Sequence, residues 1–521
     1  MSGPLQHADL PERLNLTEWF LDRNLERGRG DDPVLRTPTA THSYGQLAEL
    51  ANRAGNALRG LGLRREDRVL LALSDGVEFL ACWFGAQKIG AVVAEVYTFL
   101  PAKDFEYFLR YTGSRAVVVD AGTLGPVREA RRGVDSLDWV IVAGESPELE
   151  SGEVSLAEAV AAASPELAPT LLSKDDIVLW KFTTGSTGSP KGVVHLAHAP
   201  ILNFSAYAEG VLGMVSEDVV LPIPKLFFGY ARDLAGLYPL GVGASSVVFP
   251  ERSTPAVIFD LIERFRPTIL VQVPTMMRAM LDHPGSEDRD LSSLRCCVSS
   301  GEALPPALAE RWRERYGLEV SEAIGSCECY HVYASNPLGA ARTGSVGRMI
   351  PGYEATIAGP DGSSLPDGEI GELRVRAPTG AVMYWGDRVK SLRTFVGEWV
   401  HTGDLFHRDA DGYLWSQGRA DNLLKVGGIW VAPGEIEQCL AGHPDVAECV
   451  VVPYEEDGLT LPRAVVVPRR GATVRAEDLQ AYVKAQLSPH KYPRQVVSVE
   501  ALPKTPAGKI DRNALRVAAG S

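Results

Sequence analysis

Apolar residues recur at three- and four-residue spacing through GQLAELANRAGNALRGLGL (45–63), which predicts a helix with one buried face. The pattern then shortens. RVLLALSD (68–75) is a brief apolar run and predicts a buried strand, and VEFLACWFGAQKIGA (77–91) returns to helical spacing. AVVVDAG (116–122), WVIVAG (139–144) and VVLPIP (219–224) add strands with helical stretches between them. Such alternation predicts an α/β fold with largely parallel sheets. Residues 144–176 are acidic and alanine-rich and predict a surface excursion holding one short helix.

After about residue 345 the texture changes. YEATIAG, GEIGELRVRA and EWVHTGDLFHRD predict short strands joined by Gly/Asp turns, a small β-rich subdomain. From about 421 a compact α/β segment follows: GEIEQCLAGHP and AEDLQAYVKAQL as helices, VAECVVVPY and RAVVVPRR as strands. A boundary near residue 420 therefore divides the chain into 1–420 and 421–521, as a length of 521 residues also suggests. There are no internal repeats.

Composition adds constraints. The net charge of −14 disfavours a nucleic-acid or anionic-membrane partner, and an anionic substrate needs local cations. No apolar run approaches the roughly 18 residues of a membrane span, and the first residues lack a secretory pattern. Seven scattered cysteines fit a reducing, cytoplasmic compartment.

Two stretches carry candidate chemistry. In DIVLWKFTTGSTGSPKG, a strand (Ile177 to Phe182) leads into a glycine-rich loop, followed by a helix-like segment. Hydroxyls of Thr183, Thr184, Ser186 and Thr187, close backbone approach at Gly185 and Gly188, and Lys191 suit a polyphosphate. It is not a Walker A loop, because Pro190 stands where the second glycine belongs. The second stretch is GSCECYHVY (325–333). Cys327, Cys329 and His331 alternate, so on a strand they share one face, as thiolate metal ligands do; no CxxC or second ligand pair accompanies them.

TTGSTGSPKG resembles the phosphate loop of the acyl-adenylate-forming (AMP-binding) enzymes. SSGEALP (299–305), GSCE (325–328), GELRVRAPTGAVMYWGD (371–387), HTGD (401–404), GRADNLLKVGG (418–428) and PKTPAGKIDR (503–512) follow in that family's order. KLFF-x-Y, GS-x-E-x-x-H and KVGGIWV resemble the benzoate-CoA ligase branch. The resemblance implies a large N-terminal domain of α/β and β subdomains and a small mobile C-terminal domain. It implies ATP-dependent formation of an acyl-adenylate with release of pyrophosphate, then transfer to a thiol.

Carried over residue by residue, the resemblance makes Lys509, Lys191 and Glu328 the catalytic set, with Glu328 holding Mg²⁺. Ser300, Gly301 and Glu302 line the adenine, while Asp404 and Arg419 meet the ribose and phosphate. Asp421 is the hinge, and Lys425, Gly427 and Gly428 form the face for a pantetheine thiol. The acid pocket comprises Phe228, Gly229, Tyr230, Gly325, His331 and Val332. No aspartate stands there to bind an α-ammonium, which disfavours an α-amino acid; an aromatic acid is what the resemblance to the benzoate-CoA ligase branch implies. Gly325 is expected to leave a flat slot, Gly229 and Val332 extra room for a ring hydroxyl or amino group, and His331 a hydrogen-bond donor. Cys327 replaces the threonine usual in relatives, and its thiol is a weaker donor. The acceptor is coenzyme A or the phosphopantetheine of an acyl carrier protein, met by Arg469–Arg470 or by Lys491–Tyr492–Pro493–Arg494. A non-catalytic nucleotide-binding protein on the same fold is the alternative of another class.

Overall fold

The computed structural model describes residues 3–144, 148–184, 190–420, 424–426, 429–431, 433–456, 459–469, 471–487, 491–504, 510–512 and 514–515. The expected helix is Tyr44–Gly60, capped by Ser43, whose Oγ accepts from the Gln46 amide while Gln46 reaches back to the Ser43 amide. The helix Val77–Lys88 packs against it.

Two large sheets stack through these helices. The eight-stranded sheet runs, edge to edge, Met383–Tyr384, Pro190–Leu196, Ile177–Thr184, Val92–Glu95, Arg68–Ala72, Ala116–Val119, Trp139–Val142, Glu153–Ser155. The nine-stranded sheet has a parallel centre formed by Val219–Pro222, Ile269–Gln272, Cys296–Ser299 and Val320–Gly325. Strand alternation distributes the apolar residues to both faces. Val69 and Leu71 enter the core shared by the two sheets, together with Ile269, Val271, Cys296 and Val298. Leu70 and Ala72 face the helices Ala102–Thr112 and Ala121–Arg131 on the outer side. Leu270 and Cys297 face the helices Pro255–Phe265 and Pro306–Tyr316. Both sheets are covered on both faces, which explains the near-continuous apolar runs of their strands.

The β-rich region is a five-stranded antiparallel sheet built on Gly371–Arg376, Trp399–Arg408 and Leu414–Arg419. Beyond it, the helices Pro433–Ala441 and Ala476–Gln486 cover the sheet of Val446–Glu456, Leu459–Pro468 and Gln495–Ser498 around a core of their own.

Two expectations change. Residues 144–176 are more than a surface excursion: Glu153–Ser155 completes the edge of the eight-stranded sheet, and Glu153 is buried in an ion pair with Arg128 (2.7 Å). Among the described residues of the segment only Leu156–Ala162 is helical, and Asn52, Arg53 and Asn56 donate to the carbonyls of Ala163, Ser164, Pro165 and Glu166, strapping the segment back. The strand entering the glycine-rich segment is followed beyond it by a second strand rather than directly by a helix. Ile177–Thr184 pairs antiparallel with Pro190–Leu196, and the helix His198–Asn203 follows. All seven cysteines are free thiols, and among the described residues no helix is long and apolar enough to cross a membrane.

Candidate active site

The hairpin sets Thr183 opposite Lys191 and Thr184 opposite Pro190. Gly185, Ser186, Thr187 and Gly188 lie outside the described residues, as do Asp421, Gly427, Gly428 and Lys509; of Lys425 only the backbone, in the strand Leu424–Val426, is described. Lys191 Nζ is 2.9 Å from Asp387 Oδ2. Its return strand also pairs with Met383–Tyr384, which delivers Tyr384 beside the hairpin.

Glu328 sits in a turn between the antiparallel strands Val320–Gly325 and Val332–Ser335. Tyr330 takes the left-handed conformation (φ +76°), which a non-glycine residue holds only when its surroundings enforce it. They do so carbonyl by carbonyl. Cys327 O accepts from His195 Nε2 (2.7 Å), Glu328 O from the Ala381 amide (2.8 Å), Cys329 O from Thr379 Oγ1 (2.7 Å) and Tyr330 O from Lys181 Nζ (2.6 Å). The Glu328 carboxylate is then oriented by Tyr384, whose hydroxyl donates to Oε1 at 2.7 Å. A half-exposed, oriented carboxylate is an oxygen donor of the kind Mg²⁺ takes together with phosphates, so this side chain fits the ion.

The turn also settles the thiolate reading. Cys327, Cys329 and His331 do not share a strand face. Cys329 is buried, which pushes its thiol pKa up. Cys327 Sγ points at the Phe182 carbonyl, 3.5 Å away. Among the described residues the one His/Cys/Asp/Glu trio with converging ligand atoms is elsewhere: His7, Asp175 and His198, where both imidazoles approach Asp175 Oδ1 at 2.8 and 3.0 Å.

Behind the turn lies a fully buried ionic network that sequence reading missed. Lys181 pairs with Asp233 (2.6 Å), and Arg232 with Asp233 and Glu95 (both 2.6 Å). Burial alone raises the Asp233 pKa, but Arg232 and Lys181 outweigh it and hold it at about 2. Two cations and two anions balance. His195, in contrast, is neutral, its pKa brought down to about 3 by burial and by Lys181. A lone histidine and an arginine–aspartate pair inside apolar runs give no periodic signal; only their convergence on one turn marks them.

On the parallel-sheet side, Ser300, Gly301 and Glu302 follow the C-terminal end of Cys296–Ser299, where open α/β sheets place ligands. Gly301 has φ +87°, a conformation that favours glycine. Glu302 accepts from Thr275 Oγ1 (2.7 Å). Asp404 and Arg419 are cross-strand partners, with Arg419 Nη1 3.0 Å from Asp404 Oδ1 and from the Thr402 carbonyl. Tyr333, buried nearby, feels both Asp404 and Glu328 electrostatically.

The acid-pocket residues cluster, with three changes of role. His331 is buried and stacks on Tyr230 (5.7 Å between centroids). Its Nε2 is 3.2 Å from the Tyr230 carbonyl, an acceptor, so Nε2 carries the hydrogen. Nδ1 is then an acceptor, buried without a partner, and burial brings the pKa down to about 4. The imidazole is therefore not a donor to a carboxylate. At Gly229 a Cβ meets the Lys181 stem at 3.0 Å, so the glycine makes room for that lysine. At Gly325 a Cβ lies 2.5 Å from the His331 carbonyl oxygen, so this glycine serves the close crossing of two chains. Val332 is in the main core, its carbonyl held by Asn203 (2.9 Å). Phe228 packs on Phe227 and Tyr97, centroids 4.8 and 5.1 Å away, and the segment is anchored where the Leu226 amide donates to buried Asp75 (2.9 Å).

The AMP-binding enzyme family matches residues 21–385, and the AMP-binding enzyme C-terminal domain matches residues 435–509. The chain is 39% identical over 515 residues to a benzoate–CoA ligase of Thauera aromatica, covering 98% of this chain and 97% of that one. It is 38% identical over 503 residues to a 4-hydroxybenzoate–CoA/benzoate–CoA ligase of Rhodopseudomonas palustris, covering 95% and 93%. Among solved structures, an anthranilate CoA ligase in complex with anthranoyl-AMP superposes with a TM-score of 0.94 at 36% identity, covering 99% of each chain.

Proposed function

Because the chain belongs to the AMP-binding enzyme family, we infer that it is an AMP-forming acid–thiol ligase. It activates an aromatic carboxylic acid, benzoate or a substituted benzoate, with ATP and passes the aryl group to coenzyme A. The observation that carries this is likeness to benzoate–CoA ligases over nearly the whole chain. The carrier-protein and non-catalytic readings are not favoured.

The first half-reaction brings two anions together, so the site must stabilise charge as it develops. In this reading the hairpin amides and Lys191 take the phosphates. Glu328, oriented by Tyr384, holds Mg²⁺, which when bound neutralises phosphate charge. Asp404 and Arg419 take the ribose, Ser300 to Glu302 the adenine. Lys509, Lys425 and the glycines Gly427 and Gly428 act from the C-terminal domain, which turns about Asp421 between the half-reactions. Seven free thiols fit a reducing cytoplasm.

Within the acid class we propose a ring bearing a hydrogen-bond donor, hydroxyl or amino. His331 Nδ1 and the Tyr230 hydroxyl are both buried without partners, and a buried acceptor left unpaired costs free energy. The test is ATP–pyrophosphate exchange across benzoate and its hydroxy and amino derivatives, then CoA against holo-carrier protein as acceptor. Absence of exchange with every aromatic acid overturns the assignment.

A further inference from the structure

Lys191 has a second cation beside it that none of the sequence motifs singled out. The helix Arg388–Thr394 starts at Asp387, whose Oδ1 accepts from the main-chain amide of Lys390 (3.0 Å) while Oδ2 takes Lys191 Nζ (2.9 Å). One aspartate thus fixes the head of one lysine and the backbone of the other. Both of its oxygens are engaged, and the Lys191 bond holds its carboxyl below the usual range. Lys390 Nζ lies over the Tyr384 ring, 4.8 Å from its centroid, and Lys191 Nζ is 6.0 Å from the same centroid. That ring's hydroxyl holds Glu328. Among the described residues Lys390 has no carboxylate within ion-pair distance of its own. Burial and the neighbouring Lys191 lower the Lys390 pKa, and Glu328 and Asp387 offset this only in part, so the two close cations favour an added anion. In a chain of net charge −14 a polyphosphate needs such local cations.

We propose that Lys390 is a phosphate-binding residue, a second ammonium beside Lys191 that takes the terminal phosphates of ATP and the pyrophosphate released. The inference rests on the ligase reading above. Its side chain plays no part in the Asp387 cap, which uses the main-chain amide, so replacing it leaves that cap intact.

The test uses full-length wild type, Lys390→Gln and Lys390→Arg in two measurements: calorimetric titration with pyrophosphate alone, and acid-dependent ATP–pyrophosphate exchange. Lys390→Gln is expected to weaken pyrophosphate binding and to raise KM for ATP about tenfold, as loss of a charge-assisted bond does. KM for the acid and capture of a supplied aryl-adenylate by CoA should stay within about twofold. Lys390→Arg should recover most of the loss. Unchanged pyrophosphate affinity in Lys390→Gln overturns the proposal. So does a uniform rise in every KM with a lower melting temperature, which marks a packing role. Wild type that binds pyrophosphate but exchanges with no acid overturns the ligase reading alone.

Discussion

Glutamine has the shape of glutamate without its charge, so Glu328→Gln isolates what the carboxylate does. Tyr384 still has an oxygen to donate to, and the turn keeps its four carbonyl clamps. Exchange is expected to fall about a hundredfold or more, on the scale of losing a preorganised electrostatic group. Cys327→Thr should keep or raise it, since a hydroxyl makes the bond to the Phe182 carbonyl better than a thiol. Loss of exchange in the threonine variant overturns that assignment. A third residue sets a pH dependence. Glu322 is buried in the strand Val320–Gly325 with its Oε1 accepting from the Leu304 amide (3.1 Å), and burial raises its pKa from 4.5 to about 8. Between those values the folded protein holds a proton that the unfolded chain has lost. Stability therefore falls as pH rises through this window, by up to about 1.4 kcal/mol per unit, and levels off above it. Urea midpoints from pH 5 to 9 should show this slope, and Glu322→Gln should flatten it. At this scale the sequence named Lys191, Glu328, Asp404 and Arg419 through motifs. It aimed the His331 hydrogen at the substrate, whereas Nε2–H faces the Tyr230 carbonyl, a contact set by tertiary structure.

At the scale of elements, period and length foretold most strands and helices, from Tyr44–Gly60 to Ala476–Gln486. The hairpin escapes a local reading because nothing in PKGVVHL names its partner strand, which is evident only once Thr183 faces Lys191. The buried network escaped for another reason. Lys181 lies in an apolar strand, Arg232 and Asp233 in the segment after KLFFGYA, and nothing local links them. Their joint role is to hold Tyr330 and the turn. Removing one charge leaves its partner buried and unpaired, which costs about 3–5 kcal/mol, whereas removing a pair costs less. Lys181→Met should accordingly destabilise strongly, and Lys181→Met with Asp233→Asn should lose less than the sum of the two. Additive losses in a denaturation cycle would show that the pair is not coupled.

At the scale of the molecule the C-terminal unit has its own core of Leu424, Val431, Ile436, Leu440, Val451 and Leu479, separate from those of the two large sheets. Among its contacts with the rest are the Arg278–Glu448 pair (3.4 Å), partly exposed on both sides, and the bond from Gln438 to the Ser416 carbonyl (3.3 Å). Exposed pairs of this kind contribute at most about 1 kcal/mol, so they do not weld the units together. A small body with its own core is a unit that can turn, and in our proposal it does so between the two half-reactions that share one adenylate site. Lys509 and Lys425 lie at opposite ends of this body in sequence, and in our proposal each serves one half-reaction. Lys509→Ala is then expected to abolish acid-dependent exchange while largely sparing the attack of CoA on a supplied aryl-adenylate; changes at Gly428 should do the reverse. Single-turnover measurements of each half-reaction separate the two. Equal loss of both in Lys509→Ala would mean that one arrangement of the C-terminal unit serves both steps, and the hinge at Asp421 would have no catalytic purpose.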